Sequence, residues 1–316
     1  MAGRRRAGRA VTAVPAAPSA PERVPGQGDA ERIRRVGVVG GGAMGAGIAE
    51  VCAAAGHAVL VAVTSPASGV SARQRLVRAL ERRLTRGGIS SDYRDRVLAG
   101  VGFTTELGEL NGSDLVVEAI REREADKREM FALLDKMVGG QAILASTTSA
   151  VPISRLAQVV TRPGQVVGMH FFNPVPAQRL VEVIPSLLTD GATVATVEAF
   201  VRDALGKTPV RAPDRPGFVV NALLIPYLLA AIRMVEAGFA SAQDVDTAMT
   251  LGCSHPLGPL RLADLIGLDV VASVAEVLYT EFKDPAYASP PLLLRCVEVG
   301  LLGKKTGRGF YDYAPG

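Results

Sequence analysis

His170 lies in Gly168-Met-His-Phe-Phe-Asn-Pro174, directly after an apolar run that reads as a strand. An imidazole exchanges protons near neutral pH, and the ends of strands are where α/β sheets place their sites. Glu182 follows in Leu180-Val-Glu-Val-Ile184. It reads as a site carboxylate, with an edge-strand residue in solvent as the rival reading. His57 sits at a turn and His255 in a Pro/Gly loop, so both read as structural. A different chemistry is written in Gly40-Gly-Gly42-Ala-Met-Gly45, a GxGxxG spacing. There the first glycine turns the chain tightly and the second lets the backbone approach a pyrophosphate. The third lets a helix pack closely on its strand, with the helix N-terminus facing the phosphates.

These residues need a sheet to hold them. Val36 to Val39 is a short β-rich run that ends in the glycines, and a helical pattern follows through Ala55. Ala58 to Val63 reads as a second buried strand, and Ser71 to Arg86 as an Arg-rich helix with Leu76, Leu80 and Leu84 on one face. Further apolar runs at Leu115–Val117, Ala142–Ala145 and Val166–Met169 alternate with helical segments. Such alternation implies an α/β fold, a parallel Rossmann-type sheet covered on both faces. Gly206 to Val210 reads as the last edge strand. From Pro216 onward the patterns are helical, beginning with Phe218 to Glu236, which Pro226 is expected to bend. The expected organisation is a nicotinamide-cofactor-binding domain over 33–213 and a smaller all-helical domain over 214–316.

The second strand ends without the acid that usually accepts a bond from the ribose 2′-hydroxyl of NAD. The chain reads Val61-Ala-Val63-Thr-Ser65 there. Val63 neither accepts that bond nor repels a 2′-phosphate, and nearby hydroxyls with Arg73 offer a phosphate some partners. NAD and NADP both remain open.

Residues 1–35 hold eight arginines against Glu22, Asp29 and Glu31, which accounts for +5 where the whole chain carries +4. The rest therefore stands at −1, and the charge gives no case for a nucleic-acid-binding surface. Residues 1–32, rich in Arg, Ala and Pro, bury too little to offset ordering entropy and are expected to be disordered. An organellar transit peptide is opposed by Pro15, Pro18, Pro21 and Pro25, which work against an amphipathic helix. The longest apolar stretch, Val219 to Ile232, is interrupted by Asn221 and Pro226 and is too short to span a bilayer. Cys52, Cys253 and Cys296 show no paired spacing, so neither disulfides nor a metal site is expected. A soluble cytoplasmic protein follows from these readings. The apolar positions Val219, Leu223, Leu224, Leu228, Leu229 and Ala231 suggest more apolar surface than a small helical domain covers, hence a homodimer through residues beyond Pro216.

Gly40 to Ala49, Ala145 to Ser149, Gly168 to Ile184, Pro216 to Asn221 and Gly303 to Tyr311 together resemble the 3-hydroxyacyl-CoA dehydrogenase family, in order from about Val36 to Tyr313. The 3-hydroxybutyryl-CoA dehydrogenases look most similar. The resemblance implies an oxidoreductase in which His170 takes the 3-hydroxyl proton as hydride leaves C3 for the nicotinamide, while Glu182 bonds the other ring nitrogen. It assigns Ser149 and Asn221 to the substrate hydroxyl and thioester carbonyl. Gly40, Gly42, Gly45, Glu122, Lys127, Ser149, Asn173 and Lys305 match cofactor-contacting positions. Arg86 stands where relatives carry a lysine that contacts a CoA phosphate. Relatives usually read Ala-Ser-Asn-Thr-Ser-Ser where this chain reads Ala145-Ser-Thr-Thr-Ser-Ala150, so Thr147 replaces an amide near the site. The same chemistry on an acyl-carrier-protein thioester, as in polyketide extender-unit synthesis, is the alternative. A non-catalytic structural protein on this fold is a third reading, opposed by the intact Ser149, His170, Glu182 and Asn221 set.

Overall fold

The computed structural model describes residues 33–313; the tail expected to be disordered lies outside them. The strands are β1 (Arg35–Val39), β2 (Ala58–Ala62), β3 (Val101–Thr104), β4 (Leu115–Glu118), β5 (Ile143–Ser146), β6 (Val166–Phe171), β7 (Leu180–Pro185) and β8 (Thr208–Arg211). They form one sheet in the order β3-β2-β1-β4-β5-β6-β7-β8. The chain leaves β1 toward β2 on one side and returns to β4 on the other. The glycine-rich turn thus opens at the crevice where strand order reverses.

Eleven α-helices accompany the sheet within the described residues. They are α1 (Ala43–Ala54), α2 (Pro66–Thr85), α3 (Ser91–Gly100), α4 (Glu124–Met137), α5 (Ile153–Ala157), α6 (Gly191–Ala199), α7 (Val220–Glu236), α8 (Ala242–Gly252), α9 (Pro259–Ile266), α10 (Leu268–Phe282) and α11 (Pro291–Glu298). One sheet face packs on Ile48 of α1, Leu76 and Leu80 of α2, Val97 of α3 and Val197 of α6. The other packs on Phe131 and Leu134 of α4 and Ile153 and Leu156 of α5. Burial on both faces is why β4 and β5 read as unbroken apolar runs rather than alternating ones. A third core, from Ile225 to Cys296, joins α7 through α11.

The sheet is not wholly parallel. β1 to β6 run together, but β7 pairs antiparallel with β6, and β8 is parallel to β7. Residues 172–179 between β6 and β7 are too few for a crossover helix, so the chain can only double back. β3, with the sequence Val-Gly-Phe-Thr, is a strand that the apolar patterns did not disclose. The Arg-rich helix starts earlier than its leucines suggest, at Pro66. Ser65 and Ser68 there form a reciprocal capping box, and proline occupies the first turn, where no N–H is needed. No helix of the described residues is long and apolar enough to cross a membrane.

Candidate active site

The antiparallel turn-back makes the His170–Glu182 pair. β6 and β7 are in a register that sets His170 directly opposite Glu182, so the two side chains share one face as cross-strand neighbours. His170 Nδ1 lies 2.7 Å from Glu182 Oε2. Glu182 is fully buried, which rules out the reading of it as a solvated edge residue, and His170 is 5% exposed. The second oxygen, Glu182 Oε1, accepts from the backbone N–H groups of Val219 and Val220, each at 2.9 Å. Both carboxylate oxygens are therefore engaged, one by the imidazole and the other by two backbone N–H groups. Phe172 and Phe218 flank the imidazole with ring centroids at 4.5 and 5.3 Å. Phe218 holds a left-handed backbone with φ of 48°, next to Gly217 at 80°, which turns the chain into α7. With Nδ1 committed to the carboxylate, Nε2 is the ring atom open to a substrate, and no described residue takes it up.

The glycine-rich turn fits a dinucleotide on steric grounds. Gly40 has φ of 111°, and a Cβ there would meet the Ala119 carbonyl oxygen at 2.6 Å. A Cβ on Gly45 would overlap the Gly40 carbonyl, whereas one on Gly42 would meet nothing within 4 Å. Gly40 and Gly45 thus permit the fold itself, and Gly42 leaves the open approach that a pyrophosphate requires. A cavity of about 450 Å³ opens here, lined by Gly40, Gly41, Gly42, Val63, Thr64, Ser68, Ser71 and Arg75. Arg73 instead borders the neighbouring groove with Val63 and Pro66.

Beyond the turn, a buried polar network joins three elements. Lys127 of α4 is 1% exposed and lies 2.7 Å from Glu118 Oε1 and 3.1 Å from Glu122 Oε2. Glu118, at the end of β4, also accepts from Ser146 Oγ at 2.6 Å and from Ile120 N at 2.8 Å. Glu122 Oε1 accepts from the Ser149 backbone N at 2.8 Å, from Ala150 N at 3.1 Å and from the Thr148 hydroxyl. The network pins the loop after β5 and leaves the Ser149 hydroxyl without a partner among the described residues. Lys127, a cofactor-contacting position by resemblance, is here a buried cation that holds Glu122. Glu118 escaped the motif reading, although its signal was visible: it is the one charge closing an otherwise apolar strand. Thr147, in the place of the family's amide, accepts at its hydroxyl from Phe171 N at 3.5 Å and so ties this loop to the end of β6.

Asn221 lies half-buried in the first turn of α7, directly after Val219 and Val220, whose N–H groups Glu182 accepts from. Asn173 and Arg86 line a second cavity of about 500 Å³ together with Glu50, Arg75, Arg82 and Arg83. Arg83 is paired with buried Glu50, which also accepts from Tyr93 Oη at 3.1 Å. Burial raises the Glu50 carboxyl above its ordinary value, and the Arg83 guanidinium and Tyr93 hydroxyl oppose the rise. Arg75, Arg82 and Arg86 carry no ion pair among the described residues, so the cavity wall is strongly positive. Lys305 is the site residue that the structure does not gather in. It pairs with Asp269, within the helical region, and makes no hydrogen bond or ion pair with the glycine turn or the His170 strands.

Comparison with known proteins gives a consistent picture. Residues 35–215 match the NAD-binding domain of 3-hydroxyacyl-CoA dehydrogenase and residues 217–313 its C-terminal domain. The chain is 53% identical over 285 residues to a 3-hydroxybutyryl-CoA dehydrogenase of Mycobacterium tuberculosis, covering 90% of this chain and 100% of the relative. The human mitochondrial hydroxyacyl-coenzyme A dehydrogenase is 40% identical over 289 residues, with 89% and 91% covered. Among solved structures, Ralstonia eutropha (S)-3-hydroxybutyryl-CoA dehydrogenase superposes with a TM-score of 0.84 at 42% identity, covering 90% of this chain and 100% of that one.

Proposed function

Because the chain belongs to the 3-hydroxyacyl-CoA dehydrogenase family, we propose that it interconverts a short 3-hydroxyacyl-CoA of the 3-hydroxybutyryl class and its 3-oxo ester, with NAD as cofactor. The observation that carries this reading is the His170–Glu182 pair, its Nδ1 side closed and its Nε2 side open. A dinucleotide held at the Gly40–Gly45 turn would supply the acceptor for the hydride that leaves C3 in oxidation. His170 Nε2 takes the 3-hydroxyl proton, and the imidazolium so formed is stabilised by buried Glu182. Run backward, the imidazolium returns that proton to the 3-oxo oxygen. Ser149 Oγ and the Asn221 amide, both without partners among the described residues, are suited to the hydroxyl and the thioester carbonyl. Phe172 and Phe218 exclude water from the imidazole.

The CoA form of the substrate is supported by the concave cavity that presents Arg75, Arg82 and Arg86. Guanidinium groups converging on a recess match a phosphate-bearing small molecule, whereas a carrier protein would need a broad basic face. Use of NADP beside NAD belongs to the same proposal, supported by Val63, Thr64, Ser68 and Arg75 around the dinucleotide cavity. A homodimer through the helical region is supported by exposed Leu223, Phe239, Leu265 and Val270. Leu228, Leu229 and Ala231 do not contribute to that argument, because α7 buries them in its own core. The division near residue 214 is supported by the third core, drawn wholly from residues beyond it. A cytoplasmic setting is supported by three cysteines left as free thiols. One assay matrix tests the substrate and cofactor readings: acetoacetyl-CoA and its carrier-bound form, each with NADH and with NADPH. Turnover confined to the carrier-bound ester would overturn the CoA assignment.

A further inference from the structure

We propose that Lys207 is a positioning residue for ligand binding: its buried ammonium fastens the β6–β7 loop, one wall of the cavity that presents Arg75, Arg82 and Arg86. Residues 172–179 belong to no helix or strand, so their backbone groups must find partners one by one. Within the loop, Ala177 N and Gln178 N donate back to Pro174 O at 3.0 and 3.1 Å. The carbonyls of Val175 and Gln178 are met from outside the loop, by Lys207 Nζ at 2.8 and 2.5 Å. Lys207 stands directly before β8, 32 and 29 residues further along the chain, and is 8% exposed. Its neighbour Thr208 donates its backbone N–H to Arg179 O at 2.7 Å, so the loop's far end is tied to the same place.

A cation is costly to bury, and here two carbonyl dipoles offset the cost; Lys207 forms no ion pair among the described residues. A thioether side chain of similar length would fill the same space, so what the ammonium adds is its hold on the loop. α1 meets the loop from the other side. A Cβ on Gly47 would come within 2.8 Å of Val175 Cβ, and Val175 is 2% exposed. Val175 is thus held at two points, its side chain against α1 and its carbonyl on Lys207. Asn173, Pro174, Val175, Pro176 and Ala177 line the cavity opposite the arginines of α2. A shift of the loop moves that wall, whereas His170 and Glu182 stay paired through the ladder of β6 and β7. The effect of Lys207 therefore falls on ligand affinity and not on proton transfer. Its expression in affinity for an acyl-CoA rests on the proposed reading of this cavity as the CoA site; the fastening of the loop does not.

The test compares Lys207→Met and Gly47→Ala with wild type by amide hydrogen exchange and by steady-state kinetics with acetoacetyl-CoA and NADH. Lys207→Met keeps the apolar stem and removes the donors. Exchange at Ala177 and Gln178 should rise at least about tenfold. KM for acetoacetyl-CoA should rise at least about fivefold while kcat stays within about threefold, the split expected when ground-state and transition-state binding are lost together. Gly47→Ala leaves the ammonium in place and presses on Val175 from α1, so it should raise the same KM with kcat again held. Unchanged exchange in Lys207→Met overturns the fastening. Raised exchange beside an unchanged KM, or a loss confined to kcat, overturns the positioning role. An unaltered KM in Gly47→Ala overturns it as well, and that variant serves even if the methionine variant does not fold. A wild type that does not turn over acetoacetyl-CoA overturns the CoA reading of the cavity, and with it the role of this wall, while exchange in Lys207→Met still decides whether the loop is fastened.

Discussion

Changing Val63 to aspartate would restore the carboxylate that this second strand lacks. Val63 sits just past β2, half-buried, at the mouth of the cavity formed with Gly40, Gly41 and Gly42. Its two methyls face Gly41 and Gly69, where an added Cβ would come within 3.1 and 3.4 Å of them. Aspartate carries two oxygens in a comparable volume and lies at the cavity edge, so Val63→Asp is expected to fold normally. Toward NAD, the new carboxylate accepts from a ribose hydroxyl. A hydrogen bond to a charged group contributes about 1.5–3 kcal/mol, and each 1.4 kcal/mol is about tenfold in affinity. Toward NADP, it faces a 2′-phosphate with like charge, which adds about 1 kcal/mol of repulsion at 4 Å even at the dielectric of water. The two effects act in the same direction on the ratio of kcat/KM values for NADH and NADPH, which is expected to shift toward NADH by about two to three orders of magnitude. The assay is steady-state reduction of acetoacetyl-CoA by wild type and variant with each cofactor, with thermal melts as the folding control. A wild type that already rejects NADPH by more than about a hundredfold, or a ratio unmoved by the substitution, refutes the reasoning and places discrimination elsewhere.

Three further outcomes are expected. His170→Gln should bind dinucleotide as wild type does and lose about two to four orders of magnitude in turnover, measured by stopped-flow with acetoacetyl-CoA; near-normal turnover would remove His170 from the mechanism. Burial raises the Glu50 carboxyl above its ordinary 4.5, so the folded chain holds that proton more tightly than the unfolded one. The penalty for the ionised form is present above the raised value and is relieved as pH falls through it. The melting temperature of wild type relative to Glu50→Gln should therefore rise from neutral pH toward 4.5, and a difference that falls or stays constant refutes this. Sedimentation at micromolar concentration should give a dimer that Leu223→Glu weakens, since Leu223 is 71% exposed on the outer side of α7; a wild-type monomer refutes the proposed assembly.

Local signals in the sequence were enough for the dinucleotide turn, because a strand, three spaced glycines and a helix are contiguous and each glycine answers a steric demand within a few residues. Apart from β3, the alternation of strand and helix through Ser146 was legible for the same reason, as was the change to helices after Pro216. What tertiary structure alone decided are the pairings across distance. β7 turned back against β6 because the loop between them is short, and the resulting register set Glu182 opposite His170, a contact that family resemblance implied but spacing alone did not. Lys127 matches a cofactor position by resemblance, but nothing in the sequence places it between Glu118 and Glu122, where α4 packs it and the two carboxylates meet the charge of a buried cation. The cap of α7 by Glu182 joins residues 37 apart, and no local pattern announces it, because Val219 and Val220 offer only backbone N–H groups that every sequence has. Apolar periodicity states which faces are buried. Which charge meets which orphan donor is set only when the elements close on one another, because those bonds depend on position in space and not on residue type.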